Sequence, residues 1–272
     1  MLTRAITGFF FILTVLSAVY FGDFTTIALA VLVSVLGLDE FYKIAKLLNV
    51  KTDFTLAFLL GIINLCLLFF TEVNVLQTKW TVLLIPSLLL VFIAELYKKT
   101  SNPFKNIAFS ILGWLYILFP FYMLYKLGTF KNYEITDSFN NEILFGFFII
   151  IWTYDTGAYL SGRFLGKHKL FERISPKKTW EGFIGGIILA IVSAVVISKY
   201  FTSYEMFDWI FIAVIATVTA TFGDLTESML KRSAEIKDSG TILPGHGGIL
   251  DRFDSVLFAA PAVFTYLFLI SH

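Results

Sequence analysis

The sequence predicts an all-α fold, a polytopic membrane helical bundle with about nine transmembrane helices, and three observations carry that reading. First, 57% of the 272 residues are hydrophobic and only 15% are charged, against roughly 45–50% and about 25% in soluble domains. The mean hydropathy is +0.80. A single water-soluble core of this size cannot hide so much apolar side chain. Second, apolar runs of the length a bilayer demands recur along the whole chain. Third, lysine and arginine fall almost entirely on one side of those runs.

The runs lie at roughly 5–21, 24–38, 54–71, 81–97, 106–125, 143–162, 182–201, 207–223 and 253–270. The first two are so close that they must form a tight helical hairpin around Gly22 and Asp23. The opening run follows Arg4 and has the look of a signal peptide. It lacks a small-x-small cleavage site and another span follows at once, so it is read as retained. Between the second and third runs, residues 39–53 place Phe41, Ile44 and Leu48 at helical spacing, with Lys43 and Lys46 elsewhere on the wheel. That pattern predicts a short helix lying in the membrane interface. Glu95, three and four residues before Lys98 and Lys99, suits an ion pair at a span's end.

With the N-terminus placed in the cytoplasm, seventeen of the 21 Lys and Arg residues are cytoplasmic, and four, Lys79, Lys126, Lys131 and Lys199, are outside. The positive-inside rule therefore puts the N-terminus in the cytoplasm and, with nine spans in the inner membrane, the C-terminus outside. The net charge of +1 says nothing by itself about nucleic acid, and no basic tail or run suggests such a partner. The single cysteine, Cys66, sits inside an apolar run, so there is no disulfide framework and no cysteine metal site. No internal repeat divides residues 1–272, which read as one integral membrane domain whose polar chemistry lies in cytoplasmic loops at about 163–181 and 224–252.

The densest chemistry runs from Ser228 to Asp254. Lys231, Arg232, Lys237, Asp238, His246, Asp251, Arg252 and Asp254 are packed around the glycines of residues 245–248. Glycines let backbone N–H groups approach an anion closely, and Lys and Arg neutralise phosphate oxygens. Asp224, Asp251 and Asp254 are hard oxygen donors of the kind that hold Mg²⁺ beside substrate phosphates. A loop that served only solubility would explain the lysines but not the aspartates or glycines. A second group runs from Asp155 to Gly182. Asp155 lies eight residues before Arg163, roughly 12 Å below the boundary at 1.5 Å per residue. An ionisable group at that depth is costly, and marks either function or an ion pair that fixes helix packing. Lys177 and Lys178 precede a helix start and suit a phosphate, while His168, between two lysines, reads as interfacial.

The pattern S-x-Φ-K-R-x4-K-D-x-G-x2-L-P-x-H-G-G-Φ-x-D-R-Φ-D, with Φ apolar, spans Ser228 to Asp254 without a departure. It resembles the signature of the phosphatidate cytidylyltransferases. The resemblance extends to Gly223–Glu227 and to Ser175–Gly182, whereas the first 140 or so residues contribute only hydropathy to it. It implies attack of the phosphatidic acid phosphate on the α-phosphorus of CTP, giving CDP-diacylglycerol and pyrophosphate for phospholipid biosynthesis. It further implies catalytic roles for Asp224, Lys231, Arg232, Lys237, Asp238, His246, Asp251, Arg252 and Asp254. Asp155, Ser175, Lys177, Lys178, Thr179, Ser228, Gly247 and Gly248 are the expected substrate-binding residues. Mg²⁺ is expected on Asp224 and Asp251, with room for a second cation, and a homodimer is compatible with the pattern. The alternatives are transfer to another lipid, such as a polyprenol or ether-lipid phosphate, and an anion transporter. A transporter predicts ionisable residues at mid-depth in several spans and paired broken helices, whereas only Asp155 is clearly deep.

Overall fold

The structure, a computed structural model, describes residues 2–51, 54–136, 139–242 and 247–271, with side chains from Ile6 onward. Ten α-helices follow one another: α1 (Leu2–Tyr20), α2 (Asp23–Leu47), α3 (Phe54–Glu72), α4 (Leu84–Leu96), α5 (Pro103–Gly113), α6 (Phe119–Leu127), α7 (Asn141–Leu165), α8 (Trp180–Ile197), α9 (Met206–Ser233) and α10 (Leu250–Ile270). A 3₁₀ stretch, Thr78–Leu83, leads into α4, and a π-helical turn, Trp114–Leu118, joins α5 to α6 as one continuous rod. Two small antiparallel hairpins complete the described residues: β1 (Phe130–Lys131) with β2 (Glu134–Ile135), and β3 (Lys169–Phe171) with β4 (Ser175–Thr179).

Eight of the described helical rods are long and apolar enough to cross a membrane, which makes the chain an integral membrane protein. The ninth expected span is α1, whose described apolar part, Ile6–Tyr20, is shorter. The predicted hairpin is present. Gly22 adopts φ 97°, a left-handed conformation open to glycine at no steric cost. The Thr25 hydroxyl closes the turn onto the Ala18 carbonyl at 2.6 Å. Bulky side chains on α4, such as Ile85, Leu89 and Ile93, stay exposed, as a lipid-facing helix requires.

The centre of the bundle is a set of fully buried aromatic and aliphatic residues, among them Phe41 on α2, Phe121 on α6, Phe147 on α7 and Trp209 on α9. Helices α7 and α8 pack by a different device. Gly182, Gly186, Ala190 and Ala194 form a four-residue repeat of small residues, all buried, while Ile184, Ile188, Val192 and Val196 point outward. Small residues let two backbones approach within a bilayer, where no hydrophobic force drives helix against helix. A Cβ on Gly186 would come within 2.7 Å of the Tyr154 ring.

Two expectations are corrected. Residues 39–47 are not an interfacial helix, because α2 continues unbroken through Leu47, with Phe41 and Ile44 each 1% exposed in the core. The drop in hydropathy there comes from a polar face on the same helix, including the i,i+4 pair of Lys43 with Asp39 at 2.6 Å. Likewise α9 does not end at residue 223 but runs ten residues further, to Ser233, and α10 starts at Leu250, so both ends of the expected loop 224–252 are helical. Its extension is held by a second i,i+4 pair, Glu227 with Lys231 at 2.5 Å. Minor shifts move the ends of the other spans, α8 ending at Ile197 rather than 201.

Candidate active site

A cavity of about 350 Å³ opens where the end of α7, the β3–β4 hairpin, the start of α8 and the middle of α9 meet. Asp155 from α7 and Asp224 from α9 supply its carboxylates, and Arg163, Lys177 and Lys178 supply its cations. Tyr154 and Phe183 form apolar wall. Lys178 Nζ lies 2.6 Å from Asp224 Oδ2, each side chain still partly open to the cavity. Behind the wall, the hydroxyls of Tyr154 and Thr221 are hydrogen-bonded to each other, tying α7 to α9.

Local sequence explains how the hairpin is aimed. Thr179 is the N-cap of α8, its hydroxyl accepting from the Gly182 amide at 3.1 Å. Glu181 in the first turn of α8 reaches back to the amides of Lys167 and His168 and lies 2.6 Å from His168 Nδ1. Glu181 thus fastens the start of the hairpin carrying Lys177 and Lys178, while the His168 side chain stays largely exposed, as the interfacial reading expects.

Asp155 also lines a smaller cavity with Arg252 and Asp254 from the first turn of α10. Asp224 and Glu227 lie within electrostatic reach of Asp254. Next to this group, Lys231 sits between two carboxylates, 2.5 Å from Glu227 and 2.6 Å from Asp251. Asp251 is densely engaged. Its Oδ2 accepts from the amides of Ser239 at 2.9 Å and Gly248 at 2.7 Å, and lies 3.0 Å from the Ser239 hydroxyl. The Asp251 side chain is only 7% exposed, so it does not stand open to water as a residue of a cytoplasmic loop would.

The expected site residues divide accordingly. Asp155, Lys177, Lys178, Thr179, Asp224, Ser228, Lys231, Asp251, Arg252 and Asp254 are brought to one end of the bundle, with the Ser228 hydroxyl 3.3 Å from Asp224 Oδ1. Arg232 instead donates to the Ile236 carbonyl at 3.1 Å and closes the end of α9. Lys237 and Asp238 stand exposed on the following loop. Ser175 pairs with Phe171 at the start of β4 and is not among the residues lining either cavity. Gly247 has φ 82°, and a Cβ there would approach Asp251 Oδ2 to 2.5 Å. The Gly248 amide is already taken by Asp251. His246 lies outside the described residues.

Four participants escaped the sequence reading: Arg163, Glu227, Ser239 and Glu40. Glu227 was legible, since it stands three residues after Asp224 and four before Lys231, one helical face. Glu40, 2% exposed, accepts from Ser239, Ile249 and Leu250, about two hundred residues away. No local signal announces such a partner.

Among the described residues no three acidic, histidine or cysteine side chains are grouped to hold a metal by themselves. Magnesium at phosphate-transfer sites commonly uses one or two carboxylates and completes its shell with substrate phosphates and water. The donors present fit that pattern. In the inner group five carboxylates (Asp155, Asp224, Glu227, Asp251 and Asp254) stand against Lys178, Lys231 and Arg252, an excess of negative charge that a divalent cation would offset.

Comparison with known proteins identifies the family. The profile of the Cytidylyltransferase family matches residues 2–270. A phosphatidate cytidylyltransferase of Staphylococcus haemolyticus is 35% identical over 265 residues, covering 96% of each chain. One from Bacillus subtilis is 40% identical over 197 residues, 71% of this chain and 70% of that protein. One from Staphylococcus aureus is 42% identical over 165 residues, 60% of each. With a match along nearly its whole length and a polar cavity of this composition in an apolar bundle, the chain belongs to the cytidylyltransferase family.

Proposed function

We propose that the chain is a phosphatidate cytidylyltransferase, transferring a cytidylyl group from CTP to phosphatidic acid to give CDP-diacylglycerol and pyrophosphate. The observation that carries the reading is the cavity with Arg163, Lys177 and Lys178 around Asp155 and Asp224, set at one end of a membrane bundle. Phosphatidic acid leaves a bilayer only at about 0.8 kcal/mol for each CH₂ exposed, and a multiply charged nucleotide does not enter one. The two substrates can meet only at a polar site on the membrane boundary, which is what this end of the bundle offers.

In the reaction a phosphatidate oxygen forms a bond to the α-phosphorus of CTP, and the bond from that phosphorus to the bridging oxygen of pyrophosphate breaks. Such transfers need positioning and charge stabilisation more than covalent help from the protein. Lys177, Lys178 and Arg163 are placed to bind phosphate oxygens, Lys178 exchanging Asp224 for substrate. Lys231, held between Glu227 and Asp251, keeps α9 and α10 in register so that Asp224 and Arg252 stay apart at a set distance.

Mg²⁺ would be held by Asp224, which is open to the cavity, whereas Asp251 could join it only if Lys231 gave up the carboxylate it now pairs with. When bound, it would neutralise charge on the nucleotide phosphates. The excess of lysine and arginine on one side supports a cytoplasmic N-terminus and a site open to the cytoplasm, in the inner membrane. The direct test incubates purified protein with CTP, Mg²⁺ and phosphatidic acid and looks for CDP-diacylglycerol and pyrophosphate. Absence of both, with phosphatidic acid unchanged, would overturn the reading.

A further inference from the structure

We infer that Glu40, from the N-terminal half of the chain, is a positioning residue for nucleotide binding, because it holds both ends of the loop between α9 and α10. The first amides of any helix lack intrahelical partners, and α10 has no side-chain cap of its own. Glu40 supplies one from α2. Its Oε1 accepts from the Ile249 amide at 2.9 Å, and its Oε2 from the Leu250 amide at 3.0 Å. The Ser239 hydroxyl lies 2.8 Å from the same Oε2 and 3.0 Å from Asp251 Oδ2, so one serine is shared by two carboxylates. Three successive amides, at residues 248–250, are thereby consumed by Asp251 and Glu40. They are not left over to cradle phosphate.

The fit is close on every side. A Cβ on Gly240 would come within 2.5 Å of Glu40 Oε1, and one on Gly248 would overlap the Ser239 hydroxyl and the Glu40 carboxylate. The two glycines stand at opposite ends of the loop, next to Ser239 and Ile249. A side chain at either would push the loop off its anchor. Lys237 lies two residues before Ser239, and Gly247 two before Ile249. Pinning Ser239 and Ile249 therefore sets where these two present themselves to a triphosphate, while Lys177 and Lys178 stand on the β3–β4 hairpin, to which Glu40 makes no hydrogen bond among the described residues.

The inference rests on the cytidylyl-transfer reading, and the test keeps the two apart. A wild-type protein that makes no CDP-diacylglycerol removes that reading; the role of Glu40 is judged on variants of a wild type that turns over. Full-length Glu40→Gln and Ser239→Ala proteins are assayed in mixed micelles, with CTP and phosphatidic acid varied in turn. Glu40→Gln keeps volume but replaces one acceptor oxygen by an amide NH₂ group, which donates and cannot accept. Its KM for CTP should rise roughly tenfold or more, the loss expected for one hydrogen bond to a charged group. Its KM for phosphatidic acid should not change. Ser239→Ala should shift the same constant in the same direction by less, and the double variant should fall short of the product of the two effects. Equal changes in both KM values, or purely multiplicative effects, would make Glu40 a general structural contact and overturn the inference. Where Glu40→Gln does not fold, Ser239→Ala decides: an unchanged KM for CTP overturns it, a selective rise sustains it.

Discussion

Lys178 on the β3–β4 hairpin lies 2.6 Å from Asp224 on α9, and this pair joins the cationic and anionic walls of the cavity. Both side chains remain partly accessible, at 27% and 31%. An ion pair so open gives little stability, which marks it as a contact a substrate phosphate can displace. Asp224→Asn keeps the shape and removes the charge. Activity should fall by roughly a hundredfold or more, since charge stabilisation at such sites is worth several kcal/mol and each 1.36 kcal/mol is about tenfold in rate. Thermal stability should hold. Lys43→Ala, which breaks an exposed pair with Asp39, serves as the control and should leave turnover unchanged. Near-normal turnover and Mg²⁺ dependence in Asp224→Asn would refute the metal assignment.

The helices were legible because hydropathy reports which segments a bilayer accepts. Their ends were not, because polar residues on one face lower hydropathy without ending the helix. Asp224, Glu227 and Lys231 read as the start of a loop, yet they lie three and four residues apart on the extended α9. The same effect hid the last third of α2, where Asp39 and Lys43 resemble interfacial residues while Phe41 and Ile44 are buried. The cavity residues were readable as chemical types clustered in two segments. The division of labour among them was not. Asp251 looked like a free ligand, and only three dimensions reveal that its oxygens hold Lys231 and the loop amides.

Lys231→Met tests the other ion cluster. Its amine, 11% exposed, is the shared partner of Glu227 and Asp251, which are 1% and 7% exposed. Removing it leaves two carboxylates buried against each other, and breaking a buried pair this way typically costs 3–5 kcal/mol, so about that loss is expected. The melting temperature in detergent should drop markedly. Adding Glu227→Gln to Lys231→Met should recover part of the loss, because one uncompensated charge is then gone. A single variant as stable as wild type would show that the cluster is wetter than its burial indicates.

Gly186→Leu probes the close approach of α7 and α8. The new side chain would drive into the Tyr154 ring, which neighbours Asp155 and bonds to Thr221. Overpacking of this kind commonly costs about 1–3 kcal/mol. Here it should also displace the wall of the cavity and lower turnover more than Ile184→Leu, a change on the exposed face of the same helix. Equal activity in the two variants would mean that the cavity tolerates a wider α7–α8 spacing.

The orientation in the membrane makes the last prediction. Asp155–Arg163, the β3–β4 hairpin, the C-terminal end of α9 and the start of α10 all belong to one end of the bundle. By the alternation of spans this is also the end where α2 finishes, which is why Glu40 can reach Leu250. Lys43, Lys46, Lys177, Lys178, Lys231 and Arg232 lie toward that end, whereas Lys79, Lys126, Lys131 and Lys199 lie at or beyond helix ends on the other. The bias of lysine and arginine sets which end stays in the cytoplasm. A cysteine placed at Ile242, an exposed position on the α9–α10 loop, should therefore react with an impermeant thiol reagent only after the cells are opened. A reporter fused after His272 should be accessible from outside intact cells. Native Cys66, in the middle of α3, is replaced by serine beforehand to remove background. Labelling of both sites from the same side would require α1 or one of the eight longer rods not to cross.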